Sequence, residues 1–330
     1  MLAGIAFDLR SDYLSEGFTP EETAEFDRES TIDGIEEALN SLGFRTNRIG
    51  SVKQLAQRLV RGDRWDLVFN ISEGMFGIGR EAQVPCLLDA YRIPYTFSDP
   101  LVLSLTLHKG MTKRVIRDAG LNTPGFFTVC SEEEIGQGLG SLGFPLFVKP
   151  VAEGTGKGIS GKSRVSSTGE LQDVCQKLLG TYPEGLLVEE YLPGREFTIG
   201  ITGTGAKSKA VGIMEIIYSD PDASGIYSLE TKANYEVLVS YTIPEDEVKD
   251  ACTSLALRAW TILGCRDGGR VDIRYDRHGN PSFIEVNPLA GLDPVHSDLP
   301  ILAYRNGYTF KQLIGEIMQS ALDRINQPMP

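Results

Sequence analysis

Strand-like and helix-like segments alternate along the first hundred residues, and this alternation constrains the fold more than any other feature of the chain. Residues 4–7 and 65–71 have the apolar runs of short buried strands. Residues 30–43 and 52–59 have apolar positions at helical spacing, and a glycine closes the first of these helices at position 43. Such alternation predicts an α/β protein whose first segment contains a mostly parallel sheet.

The loop that follows the strand at 65–71 is a candidate substrate wall. Ligands of parallel sheets bind beyond the carboxyl ends of the strands, and residues 72–83 follow such an end with glycines at 74, 77 and 79. A purely structural turn is the alternative for this loop. We keep both interpretations at this point.

Composition narrows the classes of function. The 330 residues are enough for about two domains, and 45 acidic against 32 basic residues give a net charge of −13. Nucleic-acid binding and membrane-surface binding both need clustered positive charge, so we expect neither. The five cysteines are scattered without a CxxC pair, and no apolar run is long enough for a signal peptide or a membrane span. We therefore expect reduced thiols and a cytoplasmic protein.

A basic island interrupts the acidic chain and contains a glycine-rich loop. Between positions 101 and 164, basic residues outnumber acidic ones eight to five. Lys149 lies at the end of a predicted strand, and the loop after it contains Glu153, Gly154, Gly156 and Gly158. Glycines let the backbone approach a phosphate with its N–H groups. This segment is the candidate phosphate site.

Residues 156–163 also match the P-loop pattern GxxxxGK[ST]. A P-loop requires that a helix begin at its Gly-Lys-Ser, whereas here helical spacing begins only near Glu170. We therefore predict a strand–loop–strand hairpin with a returning strand at 159–165 and regard the match as accidental. A P-loop NTPase or kinase remains the alternative, and Lys162 would then be its phosphate-binding lysine.

A second hairpin is predicted around residues 277–280. A two-residue turn at 278–279 would place Asp272 opposite Glu285 and Arg270 opposite Asn287. Because side chains alternate along a strand, all four then lie on one face.

Two carboxylates that face each other repel unless positive charge lies between them. Asp272, Glu285 and the amide oxygen of Asn287 are hard ligands suited to Mg²⁺. Arg270 beside them is placed to stabilise a transferring phosphoryl group or an oxyanion. The alternative is a solvated polar face on which Arg270 neutralises both acids.

These segments together resemble the ATP-grasp superfamily, and within it the D-alanine–D-alanine ligase-like carboxylate–amine ligases. The resemblance covers most of the chain. In chain order, it rests on the loop at 69–83, the sequence at 93–95, the Lys109-x-x-x-Lys113 pattern, the hairpin at 147–154, the segment at 188–196, the strand pair 270–272 and 285–287, and Ser297-x-x-Pro300.

The resemblance implies an ATP-grasp fold of three α/β subdomains, which we place at 1–100 (N-terminal), 101–185 (small, with the phosphate hairpin) and 186–330 (large, with the metal site). ATP would bind between the last two, and such proteins usually form homodimers. The implied reaction has two steps. ATP phosphorylates a substrate carboxylate, and an amine then attacks the acyl phosphate to give an amide, ADP and phosphate.

The resemblance also implies roles for individual residues. Arg270 and Lys232 are the catalytic candidates, and Lys232 would also hold phosphate. Two Mg²⁺ ions, with Mn²⁺ as the alternative, would bind Asp272, Glu285 and Asn287. The residues assigned to ATP are Lys109, Lys149, Glu153, Gly154, Gly156, Gly158, Glu189, Glu190, Leu192 and Glu196.

The substrate side departs from the family pattern. Gly156 and Ala233 replace a serine and a tyrosine that the family uses, and Glu73 stands where it has a histidine. Glu25 is the candidate for binding a substrate amine, and Ser297 is a candidate for holding a substrate. These departures predict small carboxylate and amine substrates other than two D-alanines.

Glu73 and Glu81 near the pocket suggest a cationic group on the amine.

Three alternatives stay open for the function. A genuine D-alanine–D-alanine ligase of peptidoglycan synthesis is one alternative to different substrates. A nucleotide-binding regulator without catalysis is another, and the P-loop enzyme is the third.

Overall fold

The N-terminal part of the protein is built on a three-stranded parallel sheet. A computed structural model describes residues 1–218 and 239–325 of the chain. Strand β1 (Leu2–Ala6) lies between β2 (Arg45–Gly50) and β3 (Leu67–Asn70), with both pairs parallel. The predicted parallel sheet and the α/β class are confirmed.

Helices cover this sheet, and the local sequence explains both ends of one of them. They are α1 (Arg10–Ser15), α2 (Glu29–Ser41), α3 (Val52–Arg61) and α4 (Gln83–Ala90). Helix α3 begins with a capping box between Ser51 and Gln54, which satisfies backbone donors of its first turn. It ends at Gly62, whose φ of 97° is accessible to glycine at little cost.

A four-stranded antiparallel sheet forms the middle of the molecule, in the order β4-β7-β5-β6. Its strands are β4 (Phe126–Val129), β5 (Leu146–Pro150), β6 (Arg164–Val165) and β7 (Leu186–Glu190). The helices of this stretch are α5 (Pro100–Leu107), α6 (Lys109–Asp118) and α7 (Thr168–Leu179). Helix α7 packs in the core of this sheet, whereas α5 and α6 contribute to the core of the C-terminal sheet. Strand β7, which we assigned to the third subdomain, hydrogen-bonds between β4 and β5. We therefore propose that the second subdomain boundary lies after Glu190, and the division itself stays a prediction.

A five-stranded antiparallel sheet forms the C-terminal part, in the order β10-β9-β8-β11-β12. Its strands are β8 (Glu196–Thr202), β9 (Lys209–Tyr218), β10 (Val239–Thr242), β11 (Gly268–Tyr275) and β12 (Pro281–Asn287). The helices are α8 (Asp246–Leu263), α9 (Asp298–Arg305) and α10 (Phe310–Ile325). Residues of α2 and α10 share one hydrophobic core, which joins the N-terminal and C-terminal parts.

The P-loop match adopts a different local structure from a P-loop. Gly161–Ser163 forms one 3₁₀ turn, and the next α-helix begins only at Thr168, so the helix that a P-loop needs is absent there. The predicted returning strand at 159–165 is wrong except for its end, Arg164–Val165, which pairs with β5. The capping box of the 3₁₀ turn, between Ser160 and Ser163, competes with strand pairing at these positions.

The hairpin of β11 and β12 has the predicted pairing but a different turn. Asp272 lies opposite Glu285, and the register then shifts by one residue at Ile284. This bulge changes the turn to a longer loop, in which the Asp276 carboxylate accepts from the backbone N–H groups of His278 and Asn280. The predicted two-residue turn is therefore wrong. The predicted residue pairing still forms, because the register shift at the bulge compensates for the different length of the loop.

No helix within residues 1–218 and 239–325 is long and apolar enough to cross a membrane. All five cysteines are free thiols: Cys86 and Cys130 are exposed, and the other three are buried. The cytoplasmic location stays a prediction.

Candidate active site

A cavity of about 120 Å³ lies between the second and third sheets. Lys149 reaches it from the end of β5, Glu189 and Glu190 from the end of β7, and Glu196 from the start of β8. These are the ends of strands that the sequence predicted. The cavity is the candidate nucleotide site.

One side of this cavity is an apolar slot of the kind that a flat heteroaromatic ring fills. Ile284 and Glu285 are adjacent in β12, yet both line the cavity. Neighbouring residues of a regular strand point to opposite faces, and the bulge at Ile284 removes that restriction. The other apolar side chains of the slot are Phe147, Ile159, Tyr191, Leu192 and Ile216.

A buried triad of charges fixes the lysine at the cavity floor. Glu189 pairs with Lys149 at 2.8 Å and with Lys113 at 2.9 Å, and all three side chains are at most 5% exposed. Burial alone would raise the pKa of Glu189, but the two lysines outweigh it and hold that pKa below its usual value. Burial lowers the pKa of Lys113 to about 8, against the attraction of Glu189. Burial also acts to lower the pKa of Lys149, but Glu189 and Glu285 outweigh it and raise that pKa, so Lys149 stays charged and suits a phosphate.

The glycine-rich loop between β5 and β6 is attached to helix α6 and to the N-terminal part of the chain. The ammonium group of Lys109 donates to the carbonyl oxygen of Glu153 at 2.5 Å. The N–H of Gly154 donates to Oε1 of Glu25 at 2.6 Å. A Cβ at Gly154 would lie 2.7 Å from that oxygen, so the absence of a side chain permits this contact.

Arg80 and Lys157 complete a charged cluster around this loop. Arg80 lies 3.2 Å from Glu25 and 3.7 Å from Glu153, and it donates to the carbonyl oxygen of Ala152 at 2.9 Å. Lys157 lies 3.3 Å from Glu25 and 2.5 Å from Glu153. The carboxylate that we assigned to a substrate amine, Glu25, therefore holds the loop through three partners.

The face shared by β11 and β12 brings the predicted metal ligands together. Arg270 Nη1 donates to both carboxylate oxygens of Asp272, at 2.7 and 2.5 Å, and Thr198 also donates to Asp272. Asn287 donates to the same carboxylate at 3.4 Å. Burial raises the pKa of Asp272 to about 6, with Arg270 opposing the shift and Glu285 adding to it.

The donor set on this face fits Mg²⁺ in its chemistry. Asp272 and Glu285 offer carboxylate oxygens across the ladder, and Asn287 offers an amide oxygen. In the described part of the chain, no group of three or more His, Cys, Asp or Glu side chains is arranged to hold a metal ion. Mg²⁺ here would therefore also need phosphate oxygens of a nucleotide, as it commonly does.

A larger cavity of about 610 Å³ adjoins the nucleotide cavity. The two share five lining residues: Lys109, Gly154, Thr155, Arg270 and Glu285. Glu73 and Glu81 from the loop at 72–83 line the larger cavity, as do Glu25, Asn287 and Ser297. The loop is thus a cavity wall, as its position after β3 predicts.

Most of the predicted site residues lie around these two cavities, with two exceptions. Gly158 does not line either cavity, and a Cβ there would contact Pro150 and Tyr182. Lys232 lies outside the described residues, together with Ala233. Ser297 lines the larger cavity, and its Oγ accepts from the N–H of Asp293.

Several residues that shape the site were not predicted from the sequence. Arg80 and Lys157 carry the charged cluster, Thr198 contacts Asp272, and Ile284 reaches the cavity through the bulge. An arginine inside the predicted substrate loop was a usable signal for Arg80. Nothing in the local sequence marks the bulge.

Comparisons with known proteins identify one family. A family model described as D-ala D-ala ligase C-terminus matches residues 115–319. The D-alanine–D-alanine ligase of Aquifex aeolicus (strain VF5) is 31% identical over 288 residues, which is 87% of this chain and 93% of that protein.

Solved structures share the whole fold. The D-alanine–D-alanine ligase of Bacillus anthracis, solved also in complex with ATP, gives TM-scores of 0.76 and 0.74 at 22% identity, with 98% of each chain covered. The VanG D-Ala:D-Ser ligase of Enterococcus faecalis gives a TM-score of 0.74 at 20% identity, with 97% of this chain and 99% of that chain covered. The ATP-grasp fold is thereby confirmed. The family match over more than half of the chain and the Aquifex relative show that the chain belongs to the D-alanine–D-alanine ligase family, whose members are ATP-dependent ligases that form carbon–nitrogen bonds.

Proposed function

We propose that this protein joins the carboxylate of one amino acid to the amine of another at the expense of ATP, with D-alanine as at least one of the two substrates. The observation that carries the proposal is the junction of the two cavities. Lys109, Arg270 and Glu285 line both, so a nucleotide in the smaller cavity and an amino acid in the larger one would meet there. D-alanine is supported by the name of the Aquifex relative.

The nucleotide is proposed to lie with its base in the apolar slot and its phosphates toward Lys149 and Lys109. Glu196 at the start of β8 is the candidate for the ribose hydroxyls; at present it pairs with Arg274 at 3.3 Å and accepts from Tyr218. The glycine loop held by Glu25 covers the phosphates with backbone N–H groups. The base, the ribose and the phosphates of ATP thus each have proposed contacts in this cavity.

The proposed reaction proceeds in two steps. The substrate carboxylate attacks the terminal phosphorus of ATP, the bond to the bridging oxygen breaks, and ADP leaves. The amine of the second substrate then attacks the carbonyl carbon of the acyl phosphate, loses a proton and expels inorganic phosphate. Arg270 at the cavity junction is placed to stabilise the oxyanion of that second step.

Mg²⁺ is part of the proposal, with Asp272, Glu285 and Asn287 as its protein ligands. When bound, it would neutralise phosphate charge during phosphoryl transfer. Arg270 donates to both carboxylate oxygens of Asp272. Binding of a metal ion therefore requires that this ion pair open or that Asp272 contact Arg270 and the ion together. The homodimer that the resemblance implies stays a prediction.

A ligase of two D-alanines is the second candidate. The named relatives support this pairing at least as well as they support other substrates. The residues of the larger cavity, Glu73 above all, are the reason to test further amino acids.

The test measures ADP and the condensed product together. The protein is supplied with Mg²⁺-ATP and D-alanine, alone and with a pool of amino acids, and products are followed by a coupled ADP assay and mass spectrometry. We expect ADP to form in equal amount to an amide whose mass is that of the two substrates less one water. Binding of ATP without any ADP that depends on an amino acid would contradict the proposal and favour the regulator.

A further inference from the structure

We propose that one substrate of the larger cavity carries a cationic side chain, an ammonium or guanidinium group, which binds among Asp27, Glu73 and Glu81. The inference rests on the proposed ligase function and specifies the substrate class of the same site. It follows from the charge of the cavity, from the rigidity of its acidic wall and from the way its other carboxylates are already paired.

The cavity has a surplus of negative charge. Among its lining residues, carboxylates outnumber arginines and lysines eight to four. Several of these carboxylates already have cationic partners: Glu25 has Arg80 and Lys157, Glu285 has Lys109, and Asp298 has Arg270.

The remaining acids on one side of the cavity lack such partners. Within residues 1–218 and 239–325, the side chains of Asp27, Glu73 and Glu81 form no ion pair and no hydrogen bond. Each of them lines the cavity. These three side chains therefore carry part of the surplus negative charge of the cavity, to which Glu21 and Asp293 also contribute.

The position of Glu73 is fixed by its neighbours. The Asp8 carboxylate accepts from Ser72 Oγ at 2.6 Å and from the N–H of Gly74 at 2.9 Å, so both residues that flank Glu73 are held by one group. Asp8 is 1% exposed and also accepts from the Tyr13 hydroxyl at 2.5 Å. Because its backbone is held on both sides, Glu73 has little freedom to move away from its acidic neighbours, and such preorganisation favours binding of a charge.

Glu81 is held in a similar way. It lies in the short 3₁₀ helix Arg80–Ala82. Arg80, which is next to it, is tied to Glu25 and to the carbonyl oxygen of Ala152. Two separate anchors thus keep both glutamates at the cavity wall.

Burial and neighbouring carboxylates raise the pKa of each of the three acids, although Arg80 and Lys109 oppose the shift of Glu81. Burial raises the pKa of Glu73 well above its usual value, and Glu81, Glu25 and Asp27 add to the shift. Burial raises the pKa of Glu81 to about 7, and burial with Asp8 and Asp293 raises that of Asp27 to about 8. A cation bound beside these acids would favour their ionised forms, so this part of the cavity suits a substrate group with a positive charge.

The test compares amino acids that differ only in the side-chain charge. Lysine is compared with norleucine and arginine with citrulline, each as both enantiomers, in the presence of D-alanine and Mg²⁺-ATP. We expect kcat/KM for the preferred cationic member to exceed that of its neutral partner by about tenfold or more. Equal kcat/KM for the cationic and neutral members of a pair would overturn the inference and leave the ligase proposal intact. The same holds if D-alanine as the only amino acid gives a kcat/KM equal to that of the cationic substrate.

Variants locate the effect on the acidic wall. Glu73→Gln and Glu81→Gln keep the side-chain shape and remove the charge, so each is expected to weaken lysine about tenfold and to change norleucine less than about twofold. Glu37→Gln, an exposed glutamate of α2 that lines neither cavity, is the matched control. A loss that is equal for lysine and norleucine would contradict the inference.

A binding measurement separates this inference from the ligase proposal. Calorimetry with lysine or norleucine and a non-hydrolysable ATP analogue requires no turnover. Lowering the pH from 8 to 6 protonates the acids, so lysine affinity is expected to fall over this range while norleucine affinity stays constant. The other charged or titratable groups near the wall are Asp8, Glu25, Arg80, Lys109, Asp293 and His296. A His296→Gln variant shows whether the histidine causes the change. Turnover without this preference contradicts the inference, and binding preference without turnover contradicts only the ligase.

Discussion

Lys149 and Lys162 lie in the same glycine-rich segment, but only one of them reaches the nucleotide cavity. Lys149 is 4% exposed and paired with Glu189, whereas Lys162 is exposed and lines neither cavity. We expect Lys149→Ala to lower kcat/KM for ATP by about a hundredfold or more, because a preorganised cation for the transferred phosphoryl group is lost. Steady-state ADP release measures this loss.

Lys162→Ala serves as the comparison for this prediction. It should change kcat/KM less than about twofold, because a solvated lysine contributes little. A larger loss in Lys162→Ala than in Lys149→Ala would revive the P-loop interpretation. Thermal unfolding of both variants checks that Lys149→Ala still folds, since it leaves Glu189 with Lys113 alone.

At the scale of single residues, the sequence was sufficient to choose between these lysines. The P-loop pattern requires a helix at its end, and the sequence after Ser163 predicts none until near Glu170. The sequence was not sufficient to predict the contacts of Glu25. Its contact with Gly154 joins residues more than a hundred positions apart, and no local periodicity reports such a contact.

At the scale of elements, the hairpin of β11 and β12 has the predicted residue pairing although its predicted turn is wrong. The pairing of Asp272 with Glu285 was predicted from a two-residue turn that does not form. The bulge at Ile284 shifts the register by one residue and the longer loop shifts it back. Bulges depend on tertiary packing, here on a residue that reaches the nucleotide cavity, so strand pattern alone does not reveal them.

The docking of the glycine loop on Glu25 predicts which substrate this residue affects. Glu25→Gln retains an oxygen for the Gly154 N–H but weakens the pairs with Arg80 and Lys157. We expect KM for ATP to rise about tenfold, because a loosened loop covers the phosphates poorly. Initial rates with varied ATP and with varied amino acid measure the two KM values separately.

The two roles of Glu25 give opposite outcomes in that experiment. If Glu25 mainly binds a substrate amine, KM for the amino acid rises and KM for ATP stays constant. Glu16→Gln, an exposed glutamate of the same N-terminal segment, controls for the loss of one negative charge. It is expected to leave both KM values within about twofold of the parent.

At the scale of the whole molecule, the larger cavity needs the N-terminal and C-terminal parts held together, since Glu73 comes from one and Ser297 from the other. A shared hydrophobic core joins the two parts, and the buried side chain of Asp267 adds a polar connection between them. Its buried carboxylate accepts from the N–H of Phe97, from Ser320 and from Arg324. One side chain thus links the end of the N-terminal part to helix α10.

This connection predicts a loss of stability at a site remote from both cavities. Asp267→Asn preserves the shape and suits the left-handed backbone at this position (φ 64°), but it removes the charge that Arg324 and Ser320 contact. We expect the free energy of unfolding to fall by about 2 kcal/mol, the scale of a hydrogen bond to a charged group. Denaturant titration measures this change. Lys207→Ala removes the exposed pair with Asp323 on the same helix and should cost less than about 1 kcal/mol, so a similar loss in the two variants would contradict the role of burial in this connection.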